Sequence, residues 1–342
     1  MKTLPKLTFS LGLISLTLSS ILIDSPVYGQ SFSRYSVNSF MTTIESDETD
    51  IYYPQSSLEP LPMVVFLTGA LVEKEEYTQF AQDLASYGFI VAISNHRQVI
   101  PAFNFDGQLP ELSQITNTLN YFQQEHENSA SPLFGKINLE LLGAVGHSHG
   151  GGAVLQSTEG QCNFPFCTGT FQLPSELKAV IGYGMNRFNF FTNQFEVTNN
   201  QGIPVGFIQG SLDGIATPDE AINTFNLVQS PPKALITIDG ANHYSITDSN
   251  NPLGANPDPQ EATLNQLEAN QLIAQWTAIF LLAHLENNST AYNLIYRDTN
   301  TDSRVSIISQ SVPEPTTTKG FILITILGLL GLIRVHLKSS VS

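Results

Sequence analysis

Through the middle of the chain, short apolar runs alternate with longer amphipathic stretches. Met63–Leu67, Phe89–Ile93, Leu141–Val145, Ala179–Ile181, Val205–Ile208 and Ala234–Ile238 are apolar at successive positions. Continuous rather than alternating hydrophobicity is the pattern of strands buried on both faces. Between the first two runs, Tyr77, Phe80, Leu84 and Ala85 recur at helical spacing in a segment from about Glu73 to Tyr87, and Gly88 closes it. Leu112 to Glu127 predicts a second helix, and about Gln260 to Leu285 the last one. Ser36 to Ile51 reads as a strand and turn ahead of the series. Strands alternating with helices predict an α/β fold, with a mostly parallel central sheet and helices on both faces.

The two ends have a different pattern. Lys2 and Lys6 precede an apolar stretch from Leu11 to Ile23, and Val27-Tyr28-Gly29 offers small-residue cleavage chemistry. Residues 1–29 are therefore expected to be a secretory signal peptide, with an N-terminal helix or membrane anchor as the alternative. At the other end, Ser311-Val312-Pro313-Glu314-Pro315 precedes an apolar segment, Phe321 to Ile333, closed by Arg334, His336 and Lys338. That segment is short against the roughly 20 residues of a stable span. Motif, apolar segment and basic end together resemble the bacterial PEP-CTERM sorting signal. The resemblance implies a sorting or processing protease as partner and at least transient contact with a membrane through the tail. An ordinary C-terminal anchor is the alternative, and either reading places the folded domain outside the cytoplasm. The expected organisation is a catalytic domain over 30–300, a linker over 301–320 and the tail over 321–342.

Charge and cysteines narrow the picture further. With 14 basic and 30 acidic residues the chain has a formal charge of −16, which argues against nucleic acid and anionic membrane surfaces as partners. Cys162 and Cys167 are the two cysteines. In an oxidising compartment a local disulfide is expected of them. No metal site is expected there, because no further Cys or His stands near at ligand spacing.

Candidate chemistry centres on Gly146-His147-Ser148-His149-Gly150, which follows one apolar strand and opens a small-residue segment. Strand, sharp turn through serine, then helix is the context in which G-x-S-x-G presents a nucleophile. A serine hydroxyl needs a base to take its proton, and that base needs an orienting acid. In this arrangement the order along the chain is serine, acid, histidine, each after a later strand. Asp213 follows the strand Val205–Ile208, and His243 follows Ala234–Ile238. Among the rivals, Asp219 suits a helix N-cap, Asp239 stands too close to His243, and His284 falls within the last helix. His147 is expected to pack beneath the serine. The main-chain N–H of His149 and that of Ala70, in the turn Thr68-Gly69-Ala70, are the candidate oxyanion donors. His96 follows a strand whose end faces the same cleft, which makes it a candidate substrate contact. Phe188 and Phe191, in an aromatic segment too long for a plain connection, are candidates for the rim of an acyl pocket.

From Pro62 to Asn95, and again around Ser148, Asp213 and His243, the chain resembles α/β-hydrolases of the chlorophyllase, dienelactone hydrolase and cutinase-like polyesterase group. The resemblance covers most of residues 45–295 and implies a serine hydrolase that cleaves carboxylic esters through an acyl-enzyme, without cofactor or metal. Its substrate would be a small-molecule or polymeric ester. Thr68 departs from the histidine or proline usual there, and Ala70 stands where polyester-cleaving members present an aromatic side chain. The second departure weakens a polyester reading. A lipase-like or chlorophyllase-like activity on long or bulky esters is the alternative chemistry. An envelope-anchored binding protein on the same fold is the alternative class.

Overall fold

Strands with both faces buried need helices on both sides, and that requirement organises the molecule. The computed structural model describes residues 32–312, apart from Leu58, Phe190 and Asp298. The expected signal peptide and sorting tail lie outside the described residues. The strands are β1 (Val37–Ile44), β2 (Asp47–Pro54), β3 (Leu61–Leu67), β4 (Ile90–Ser94), β5 (Arg97–Ile100), β6 (Phe105–Gln108), β7 (Ile137–His147), β8 (Leu177–Tyr183), β9 (Phe188–Asn189), β10 (Gln194–Phe195), β11 (Val205–Gly210), β12 (Lys233–Ile238) and β13 (Val305–Gln310). The α-helices are α1 (Thr78–Ser86), α2 (Ser113–Glu127), α3 (His149–Ser157), α4 (Pro218–Leu227), α5 (Gln266–Leu285) and α6 (Ser289–Tyr296).

Nine strands form one sheet in the order β1-β2-β4-β3-β7-β8-β11-β12-β13. Its centre, from β4 to β12, is parallel, while β1, β2 and β13 pair antiparallel at the edges. This is the α/β-hydrolase arrangement expected from the alternation of elements. Period-two alternation divides the apolar residues between two cores. Val64 and Phe66 of β3 join α1, α5 and α6 on one face, whereas Met63, Val65 and Leu67 join α2, α3 and α4 on the other. Helix α5 is buried around most of its circumference, with Trp276, Ile279 and Phe280 all wholly buried. Asn265 caps its N-terminus through Leu267 and Glu268 N–H.

Several expectations are corrected. The opening strand and turn is a complete hairpin, β1 and β2. The first helix begins with a 3₁₀ turn, Lys74–Tyr77, before α1. Helix α4 is capped by Thr217, whose N–H donates to the Glu220 carboxylate at 2.8 Å, so Asp219 sits within the first turn rather than at the cap. The sheet also runs past the expected domain end at 300. Strand β13 pairs with β12 from Val305 opposite Ile238 to Gln310 opposite Lys233, in a stretch assigned above to a linker. Its inward positions, Val305, Ile307 and Ser309, alternate with exposed Ser306, Ile308 and Gln310, a signal too short and too polar to stand out.

Candidate active site

The turn between β7 and α3 forces Ser148 into a backbone conformation that side chains rarely adopt, φ 53° and ψ −117°. Such strain costs on the order of 1–3 kcal/mol and persists only where surrounding contacts impose it. Here Ser148 N–H donates to the Tyr183 carbonyl at 2.9 Å, and the Ser148 carbonyl accepts Gly152 N–H at 3.0 Å. The flanking glycines permit the close approach. A Cβ on Gly146 would lie 2.3 Å from the Gly150 carbonyl oxygen, and one on Gly150 would lie 2.3 Å from that of Leu67. The second contact sets the start of α3 directly against the end of β3.

His243 and Asp213 converge on that serine from loops after β12 and β11. His243 Nε2 is 2.9 Å from Ser148 Oγ, and His243 Nδ1 is 2.9 Å from Asp213 Oδ2 and 3.0 Å from Oδ1. A carboxylate only accepts, so Nδ1 carries the proton and the Nε2 lone pair is left for the serine hydroxyl. Asp213 is buried, and its Oδ1 also accepts Ile215 N–H at 2.9 Å and Ala216 N–H at 2.8 Å. Asp213 is thus held by its own turn as well as by His243.

Beneath these residues lies a buried chain of hydrogen bonds. Tyr77 Oη accepts Gly69 N–H at 2.8 Å and stands 2.8 Å from His147 Nδ1, while His147 Nε2 is 3.0 Å from the His243 carbonyl oxygen. That carbonyl can only accept, so Nε2 is protonated and Nδ1 takes the tyrosine proton. Burial drives the His147 pKa well below its usual value, reinforced by nearby His243 and partly offset by the main-chain hydrogen bond. His147 is a neutral strut between the turn after β3 and the His243 main chain, a role beyond the packing expected of it.

Ala70 lies in that turn and His149 opens α3. Neither main-chain N–H has an acceptor among the described residues. The His149 ring packs 4.8 Å from Phe166, and burial lowers its pKa to about 4 despite a main-chain hydrogen bond to Pro110. A cleft of about 350 Å³ opens over Ser148, lined by His149, Phe164, Phe166, Phe188, Phe191 and Ile215, with Arg187 and Glu196 in its wall. Phe188 packs edge-on against Phe195 at 5.1 Å, while Phe191 is 78 % exposed. A larger, more polar hollow of about 620 Å³ between α6 and β13 contains none of the candidate residues.

His96 does not line the cleft. Its Nδ1 is 2.8 Å from Asp47 Oδ2, and its Nε2 faces Glu111 Oε1 at 3.9 Å. Burial alone would lower its pKa, but the Asp47 hydrogen bond and the charges of Asp47 and Glu111 outweigh that and raise it. The candidate substrate contact is a structural ion pair joining β2 to the segment before α2. His284 is packed, 4.6 Å from the Phe280 ring and 2.9 Å from the Tyr296 hydroxyl. Asp239 accepts from Ser211 Oγ at 3.0 Å and takes no part in the site.

Cys162 and Cys167 are joined in a disulfide. The loop they close does more than stiffen the segment after α3, because Asn163, Phe164, Pro165 and Phe166 form one wall of the cleft. Phe164 also stacks on Phe103, between β5 and β6, at 5.3 Å. Neither the β5–β6 hairpin nor this stacking left a periodic signal in the sequence. The family described as PETase, PET hydrolase-like, matches residues 34–257. The chain belongs to that family. Membership makes it a carboxylic ester hydrolase of the α/β-hydrolase group and sets aside a binding protein without turnover. The match takes in Ser148, Asp213 and His243 and stops one residue short of Asp258. No curated protein matches the chain.

Proposed function

We propose that this protein is an exported serine esterase in which Ser148 is the nucleophile, His243 the general base and acid, and Asp213 the residue that orients the histidine. The observation that carries this reading is the unbroken line from Ser148 Oγ through both nitrogens of His243 to Asp213, at 2.9 Å on each side. Ser148 Oγ attacks the ester carbonyl carbon as its proton passes to His243 Nε2. The resulting oxyanion receives N–H groups from Ala70 and His149, the latter at the positive end of α3. Collapse of the tetrahedral intermediate expels the alcohol, which takes the proton from Nε2 and leaves an acyl-serine. Water then repeats the sequence with His243 again as base, releasing the carboxylic acid and restoring Ser148.

A cleft of about 350 Å³ with two exposed aromatics, Phe164 and Phe191, at its rim suits soluble esters of modest size, which bind without an oil interface. The basic, then apolar, N-terminal segment supports export, and the Val-Pro-Glu-Pro segment with its apolar, basic-ended sequel supports sorting through a membrane and a processing protease. The test is labelling with a fluorophosphonate and hydrolysis of an aryl butyrate. Both should depend on Ser148, and Ser148→Ala and His243→Ala should each lower kcat by several orders of magnitude, with the double variant little worse. Additive losses, or a Ser148→Ala enzyme that still turns over, would remove the assignment.

A further inference from the structure

Asp258 lies fifteen residues beyond His243 and is 8 % exposed. Its Oδ2 accepts the main-chain N–H of His243 at 2.7 Å. Its Oδ1 accepts Gly214 N–H at 3.1 Å and Gln260 N–H at 2.8 Å, while its own N–H donates to Asn251 Oδ1 at 2.7 Å. One carboxylate therefore grips the base itself and the residue that follows the acid. The far side of the His243 residue is held too, because its carbonyl accepts His147 Nε2–H at 3.0 Å. With N–H, C=O and ring each fixed by a different partner, the imidazole has little freedom to leave the line between Ser148 and Asp213.

Resting on the serine esterase reading above, we propose that Asp258 is a positioning residue for this site. It locks the His243 main chain to the Asp213–Gly214 turn and so keeps the imidazole on the line between Ser148 and Asp213. Asp213 faces His243 from Nδ1 and Asp258 from the main chain, so both charged neighbours are negative. The other titratable groups around the ring are neutral: His147 at 4.7 Å, Tyr244 at 5.1 Å, and Tyr183, whose hydroxyl donates to the Asn242 carbonyl. Burial holds the histidine unprotonated and both tyrosines protonated.

The test is Asp258→Asn, which keeps the shape but turns an NH₂ toward one of the N–H groups now held. Misplacement by about an ångström can cost on the order of a hundredfold in rate. The variant should lose about 10- to 100-fold in kcat on an aryl butyrate with KM within about twofold, and its fluorophosphonate-reactive fraction should stay near one. A purely structural role would lower the reactive fraction in step with kcat, which would overturn the proposal. Were Asp258→Asn to fold poorly, Asn251→Ala frees the Asp258 main-chain N–H and loosens the residue without removing its carboxylate, and a lower kcat at unchanged KM is expected. An unchanged kcat in that variant would likewise overturn it. Hydrolysis that survives Ser148→Ala would defeat the reading of the site, whereas Ser148-dependent hydrolysis indifferent to Asp258→Asn defeats this proposal alone.

Discussion

Tyr77 and His147 share a hydrogen bond of 2.8 Å across seventy residues of chain, and through it the turn after β3 is tied to His243. The tyrosine comes from the 3₁₀ turn before α1, the histidine from the end of β7, and both are wholly buried. Gly69 N–H is the third member, so one hydroxyl sets the height of the Gly69–Ala70 backbone relative to His243.

Tyr77→Phe should therefore affect stability and catalysis together. It leaves Gly69 N–H and His147 Nδ1 without partners in a dry interior, and each orphaned group costs about 1–3 kcal/mol. Ala70 N–H also loses its anchor, so kcat should fall by about tenfold or more while KM moves little. Urea denaturation and steady-state kinetics on one preparation test both parts. A variant with native midpoint and native kcat would mean that the hydroxyl fixes neither group.

Much of this site is legible in the sequence, for a physical reason. A nucleophile on a strained turn demands Gly146 and Gly150 around Ser148, and strand-end positions for Asp213 and His243 follow from a parallel sheet whose loops share one edge. What escapes is set by tertiary packing. Asp258 is an acidic residue in a Pro- and Asn-rich loop, indistinguishable in one dimension from a solvated surface aspartate. Tyr77 reads as one more apolar position of α1's face, although its hydroxyl is the part that matters. His96 was misplaced because a strand end points toward the cleft only if nothing intercepts the side chain, and Asp47 on β2 does.

The disulfide should govern substrate binding more than chemistry. Phe166 packs on the His149 ring, and a Cβ on Gly152 would meet the Phe166 ring at 2.7 Å, so the loop is seated tightly over α3. The contacts among Ser148, His243 and Asp213 do not pass through it. Reduction, or Cys162→Ser with Cys167→Ser, should raise KM for aryl esters several-fold and change kcat less. Equal losses in both constants, or none, would show that this wall does not shape the cleft.

Acid should destabilise the fold in a window that His284 helps to define. Burial lowers its pKa from 6.5 to about 4, so between those values the unfolded chain binds a proton that the folded chain resists. Its contribution is therefore fully present above pH 6.5 and is lost as pH falls toward 4. A displacement of that size is worth on the order of 3 kcal/mol. His149, with the same lowered value, acts in the same direction. Thermal melts should show Tm falling from pH 6.5 to 4, and His284→Phe should flatten that slope while leaving Ser148 reactive. An equally steep slope in the variant would remove His284 from the account.

The rim should limit the chain length of the acyl group. Phe188 is held against Phe195 by the short β9–β10 pairing, whereas Phe191 projects from the turn between them. Together with Phe164 and Phe166 they frame a cleft of about 350 Å³, enough for a short acyl or aryl group but at the small end for drug-sized ligands. Aryl acetates and butyrates should be hydrolysed readily, with kcat/KM falling as the acyl chain outgrows the cleft. Phe191→Ala should raise KM about two- to fivefold without altering kcat, since the ring lies at the edge where contacts are solvated. A marked preference for long-chain triglyceride emulsions over aryl butyrate would reverse the assignment of substrate size and favour the lipase-like alternative, with the exposed ring then acting as part of an interface-seeking surface.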